Sequence, residues 1–132
     1  MNEFEIYLIG GDEDEKAVLT TESVDRKCKL TFSYRDKVIS AQEHDYFGAF
    51  CGIRKPLEEE RLIPFCYGAS LNVYPSGMCR DMGSGMVAYK TEIGQRASRD
   101  NLVKIFDQGH DVIPSSVIQQ KEHFEQWLQS IK

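Results

Sequence analysis

Covalent or metal chemistry in this chain would run through four cysteines (Cys28, Cys51, Cys66, Cys79) and three histidines (His44, His110, His123). Cys79 is the candidate nucleophile. A thiol attacks as the thiolate, so it needs a base, and a third group must orient that base. His110, flanked by Asp107 and Asp111, offers both, and Arg80 beside Cys79 would favour the thiolate. Cys79, His110 and Asp111 are therefore the candidate catalytic set, although no motif joins them and the grouping rests on residue type. A zinc site asks for Cys and His ligands at close paired spacing. Cys51, Cys66, Cys79, His44 and His110 contain no pair within four residues. No metal and no cofactor is expected.

The second chemical candidate is the connector Ser76 to Gly85, which carries Gly77, Arg80, Gly83 and Gly85. Glycines let backbone N–H groups approach a phosphate, and Arg80 would pair with one. A nucleotide-binding loop needs G-x-x-x-x-G-K-[ST], and the lysine is missing. The G-x-G at Gly83 and Gly85 precedes a strand-like run, so a long hairpin loop accounts for the glycines equally well.

The remaining chemistry is charge. Net charge is −5 with a pI near 5.2. A field of that sign repels phosphate backbones, and no Lys/Arg run exceeds two residues, so nucleic acid is not an expected partner. Two acidic clusters stand out, Asp12-Glu13-Asp14-Glu15 and Glu58-Glu59-Glu60. The first lacks the ligand pattern of a calcium loop and reads as a solvated turn. Together the clusters are the candidate surface for a basic protein partner. Tyr7, Tyr46 or Tyr74 beside an acidic edge would complete such a patch.

The elements that must hold these residues are legible from their spacing. Phe4, Ile6 and Leu8 alternate with Glu3, Glu5 and Tyr7, which predicts a half-buried strand stopped at Gly10-Gly11. Lys16 to Thr21 supplies its hairpin partner. Cys28, Leu30, Phe32 and Tyr34 alternate with Lys29, Thr31, Ser33 and Arg35, and Val38 to Ala41 returns after Asp36-Lys37. An antiparallel meander of up to four strands results, with one polar face. The period then changes. Tyr46, Phe50, Ile53 and Leu57 share a helical face with Asp45 as N-cap, and Pro56 predicts a kink or restart after Arg54. A restart would put Glu58, Glu59 and Glu60 at the favourable end of a helix dipole.

Pro64 should end that segment. The runs from Ile63 to Pro75 and from Met86 to Gln95 read as two strands flanking the glycine connector. Leu102 to Phe106 favours a strand. Ser116 and Gln119 match a capping box for a last helix. Its stripe of Val117, Phe124, Trp127, Leu128 and Ile131 predicts a core helix on the sheet with Trp127 buried, while Gln120 and His123 fall on its polar surface.

The chain of 132 residues thus reads as one α+β domain over 1–132: an antiparallel sheet, made of an N-terminal meander and a central hairpin, with a middle and a C-terminal helix packed on it. No stretch approaches the roughly 18 apolar residues of a membrane helix. The acidic start is unlike a secretory signal. The expectation is a cytoplasmic protein with four reduced cysteines. Its expected role is that of an acidic protein-binding module, an inhibitor or a protein with the general profile of bacterial immunity proteins that neutralise basic toxins. A small enzyme or anionic-ligand domain using loop 76–85 is the alternative.

Overall fold

The computed structural model describes Met1 to Lys132. Its first half is the expected meander: β1 (Asn2–Ile9), β2 (Glu15–Val24), β3 (Lys27–Tyr34) and β4 (Lys37–Glu43). With the short β5 (Ile63–Pro64) they form an antiparallel five-stranded sheet in the order β4-β3-β2-β1-β5. Gly10 takes φ +105 where β1 turns away, and the Arg61 carbonyl sits where any side chain would begin. That turn therefore admits only glycine.

The register converts period two into a core. Phe4, Leu19, Phe32 and Ile39 stand opposite one another across four strands. Ile6, Leu8, Leu19, Leu30 and Phe32 on this inner face are fully enclosed. The other face is open and mostly polar, including the row Glu3, Thr20, Thr31, Ser40.

Helix α1 (Tyr46–Glu59) covers the inner face over β3 and β4. Asp45 caps it as expected, its carboxylate accepting from Gly48 N at 2.6 Å. Phe50, Ile53 and Leu57 of the predicted stripe are buried, with Phe47 and Ala49 beside them. Of the kink or restart expected at Pro56, the restart does not occur, and the helix runs through the proline. Proline removes one late-turn hydrogen bond, yet the burial of Ile53 and Leu57 on either side holds the turn. Glu58, Glu59 and Glu60 consequently lie at the C-terminal end of α1, the unfavourable end of its dipole.

The run from Ile63 to Pro75 is also not one strand. It breaks into β5, a 3₁₀ turn (Tyr67–Ala69) and β6 (Val73–Tyr74). Its partner β7 (Val87–Lys90) and then β8 (Leu102–Lys104) complete a separate antiparallel sheet in the order β6-β7-β8. The central hairpin therefore does not extend the meander sheet. Leu102 does begin a strand, though one that ends at Lys104.

After a short α2 (Gly77–Met82), helix α3 (Val117–Ser130) starts with both hydrogen bonds of the capping box, between Ser116 and Gln119. It packs against β6 and α1, not on the meander sheet. Its expected stripe is only partly enclosed. Trp127 is buried, but Phe124 is half-buried and Leu128 exposed. Gln120, expected at the surface, is buried instead. Its amide donates to Gly68 O, Ser70 O and Val73 O and accepts from Arg54 Nη1 at 2.6 Å. No helix is long and apolar enough to cross a membrane.

Candidate functional site

The glycine connector is not a plain hairpin loop. Ser76 caps a short helix α2 (Gly77–Met82), accepting from Cys79 N at 3.1 Å, and Gly83 ends it. Arg80 Nε donates to Asp45 Oδ2 at 2.8 Å, and its guanidinium lies 5.5 Å from the centre of the Phe47 ring. Asp45 thus caps α1 with one oxygen and holds α2 with the other. Gly85 takes φ +72 packed against Asp45, and Tyr46 N donates to Ser84 O at 2.7 Å. Arg80 and Gly85 fasten this connector to the start of α1, while Gly83 closes α2 by donating to Cys79 O. Gly77 alone faces a cavity.

Cys79, His110 and Asp111 form no hydrogen-bonded relay. Cys79 is buried on α2, and His110 is exposed between β8 and α3. Asp111 accepts from Tyr67 Oη at 2.6 Å and Lys90 Nζ at 3.0 Å. The tyrosine hydroxyl and then the lysine hold its carboxyl down to about 2. Burial pushes the Cys66 thiol up to about 12, and raises Cys51 and Cys28 as well. Those three are buried or half-buried thiols in the protonated state. All four cysteines are free. No group of three or more His, Cys, Asp or Glu side chains gathers as metal ligands. His123, expected at the surface, is half-buried, and its Nδ1 is enclosed without a partner.

The acidic clusters diverge. Asp12, Glu13, Asp14 and Glu15 surround a shallow hollow with Arg35, which pairs with Glu15 through Nη2 at 2.7 Å and Nε at 3.0 Å. Glu58, Glu59 and Glu60 do not act together. Glu58 Oε1 accepts from Val117 N at 2.7 Å, at the first turn of α3. Glu60 accepts from Tyr34 and Lys37. Glu59 alone remains exposed and unpaired. Only the first cluster is an acidic patch.

The best-formed apolar concavity lies elsewhere, between α2, the second sheet and α3. It measures about 500 Å³, with walls that include Tyr74, Met78, Tyr89, Phe124, Trp127 and Leu128. Tyr74 and Phe124 stack at 4.2 Å between ring centres, and Trp127 continues the stack at 5.8 Å. Trp127 Nε1 donates to Gln95 O at 2.8 Å, which fixes the indole as a wall. At the rim Met78 is 71% exposed. The hydroxyls of Ser76 and Thr91 are already bonded to Cys79 N and Asn72 O. The groove thus has an aromatic floor, a flexible thioether rim and no charged side chain in its lining.

The sequence named Tyr74 as a surface aromatic and assigned Phe124, Trp127 and Leu128 to the core. It did not connect them, since they come from segments about 50 residues apart. The one local signal is the grouping of Phe124, Trp127 and Leu128 at i, i+3 and i+4 of the last helix, three large apolar side chains at one spot. No family model matches the chain, and no curated protein matches it in sequence.

Proposed function

We propose that this protein is a protein-binding module of the inhibitor or immunity type, and that its partner inserts an apolar side chain into the aromatic groove. The observation that carries this reading is the groove itself. Stacked aromatics beside an exposed methionine resemble the anchor pockets of protein interfaces, where Tyr, Trp and Met are enriched and a few buried contacts dominate. A charged small molecule is a poorer fit, because no charged side chain lines the groove and most of its lining is apolar or aromatic. Net charge of −5 and the Asp12–Glu15 patch favour a basic partner by steering its approach.

Trp127 is the only tryptophan and forms a groove wall, so it reports occupancy directly. A partner recovered by affinity capture is titrated against the protein while Trp127 emission is followed. The expected result is an emission change with saturation, weakened at least about tenfold by Met78→Asp and by raising salt. Met78 is exposed on the first turn of α2, where an aspartate does not disturb packing. Binding that leaves Trp127 emission unchanged and ignores Met78→Asp places the contact outside the groove and defeats the reading.

A further inference from the structure

β4 is the open edge of the five-stranded sheet. Nothing in the fold pairs with its outer side, and Lys37, Val38, Ser40, Gln42 and Glu43 are all exposed, Val38 by 65%. The two-residue turn at Arg35-Asp36 makes Tyr34 and Lys37 the pair that exchanges both backbone hydrogen bonds. By alternation Ile39, Ala41 and Glu43 also turn their backbone groups toward β3. Val38, Ser40 and Gln42 turn theirs outward, as an unpaired ladder with no proline or bulge to blunt it.

The residues along this edge are self-complementary. Run antiparallel to itself about Ser40, the strand sets Val38 against Gln42, Ile39 against Ala41 and Lys37 against Glu43. One step further, Asp36 meets His44. Each facing couple shares one face of the sheet, as antiparallel partners must. The same centre brings the outward N–H and C=O groups of Val38, Ser40 and Gln42 opposite those of the second copy. Charge, side-chain face and hydrogen-bond phase therefore agree on one register. Lys37 already donates to Glu60, but an ammonium has three donors and two remain. Helix α1 lies over both β3 and β4. Across the seam the two copies of α1 would stand about two strand spacings apart, roughly 10 Å, the distance at which helices pack.

We propose that β4 is a self-association edge, through which two copies of this chain join antiparallel about Ser40 into one continuous sheet. The partner is a second copy, not a foreign strand, because the edge carries its own mirror image in charge. The seam is short, so the dimer is weak and concentration-dependent.

Sedimentation equilibrium of the intact protein up to about 1 mM tests this, with each variant checked for native circular dichroism. Wild type is expected to dimerise reversibly. Ser40→Pro is expected to weaken dimerisation about tenfold or more, since it places a ring in the seam. It spares the monomer, because the Ser40 N–H faces away from β3. Lys37→Glu and Glu43→Lys each set like charges at both ends of the seam, so each alone is expected to be monomeric. Mixed together they restore opposite charges at both ends and are expected to form a heterodimer. A wild type that stays monomeric throughout overturns the proposal. So does a dimer indifferent to Ser40→Pro, or a mixture of the two charge variants that stays monomeric.

Discussion

Arg54 is 1% exposed, yet its guanidinium hydrogen-bonds no carboxylate. Nη1 donates to Gly68 O at 3.1 Å and to Gln120 Oε1, and Nη2 donates to Ser115 O at 3.0 Å. Burial lowers its pKa, with the neighbouring Cys51, Cys66 and Glu58 opposing that shift. One side chain thus ties α1 to the 3₁₀ turn, to the strap before α3 and to α3 itself. Arg54→Met should leave Ser115 O and Gln120 Oε1 without their donor and cost about 3 kcal/mol, read from urea unfolding. Arg54→Lys should fail to rescue it, because a single ammonium cannot reproduce a fork aimed at separate acceptors. Rescue by lysine would show that charge, not geometry, holds the site. In the sequence Arg54 and Gln120 look like surface residues beside apolar stripes. Their pairing spans 66 positions, a separation no local pattern encodes.

The elements divide into those dictated by local spacing and those dictated by packing. The meander and both long helices were legible because period two, period 3.6 and the caps Asp45 and Ser116 are properties of short windows. The course from Ile63 to Pro75 was not, since Pro64 and Tyr67 are placed by backbone partners on β1 and near Asp107. Glu58 shows how packing overrules a local reading. It sits at the wrong end of its own helix and finds the right end of another, accepting from Val117 N where α3 presents its unpaired donors. Glu58→Ala should therefore destabilise the protein by about 1–2 kcal/mol, the value of a hydrogen bond to a charged group less some exposure. Glu59→Ala, one residue away and exposed, should stay within about 0.5 kcal/mol. Equal effects from the two, measured by chemical denaturation, would mean that the α3 contact contributes nothing.

Across the whole molecule, three separate surfaces coexist: the aromatic groove, the acidic turn at Asp12–Glu15 and the β4 edge. None was visible as a unit in the sequence except the acidic turn, because the groove and the edge exist only once distant segments are assembled. Outside the groove and the acidic turn, two tyrosine–carboxylate–lysine contacts join distant segments. Asp111, Tyr67 and Lys90 form one, and Glu60, Tyr34 and Lys37 the other. These contacts predict a stability profile with two falling limbs. Asp111 is held down to about 2 in the folded protein, and Glu60 is lowered by Lys37 and Tyr34. In the unfolded chain such carboxyls titrate near about 4, so between those values the unfolded state binds more protons. For Asp111 that stabilisation is complete above about pH 4 and is lost as pH falls toward about 2, and Glu60 contributes with the same sign. The alkaline limb has the opposite sign. Burial, and then Glu60, push Tyr34 up to about 12, so the folded state keeps a proton that the unfolded tyrosine gives up near 10. That contribution is full below about pH 10 and is lost as pH rises through about 12. Denaturation midpoints measured from acid to alkali should therefore form a plateau that falls at both ends. Asp111→Asn should flatten the acid limb, and it also removes the carboxylate that raises Tyr67, so the alkaline limb loses that tyrosine's part as well. Tyr34→Phe should flatten the alkaline limb, and it also removes the hydroxyl that helps keep Glu60 ionised. An acid limb unmoved by Asp111→Asn would assign that limb to other carboxylates and leave the Asp111–Tyr67–Lys90 contact without energetic weight.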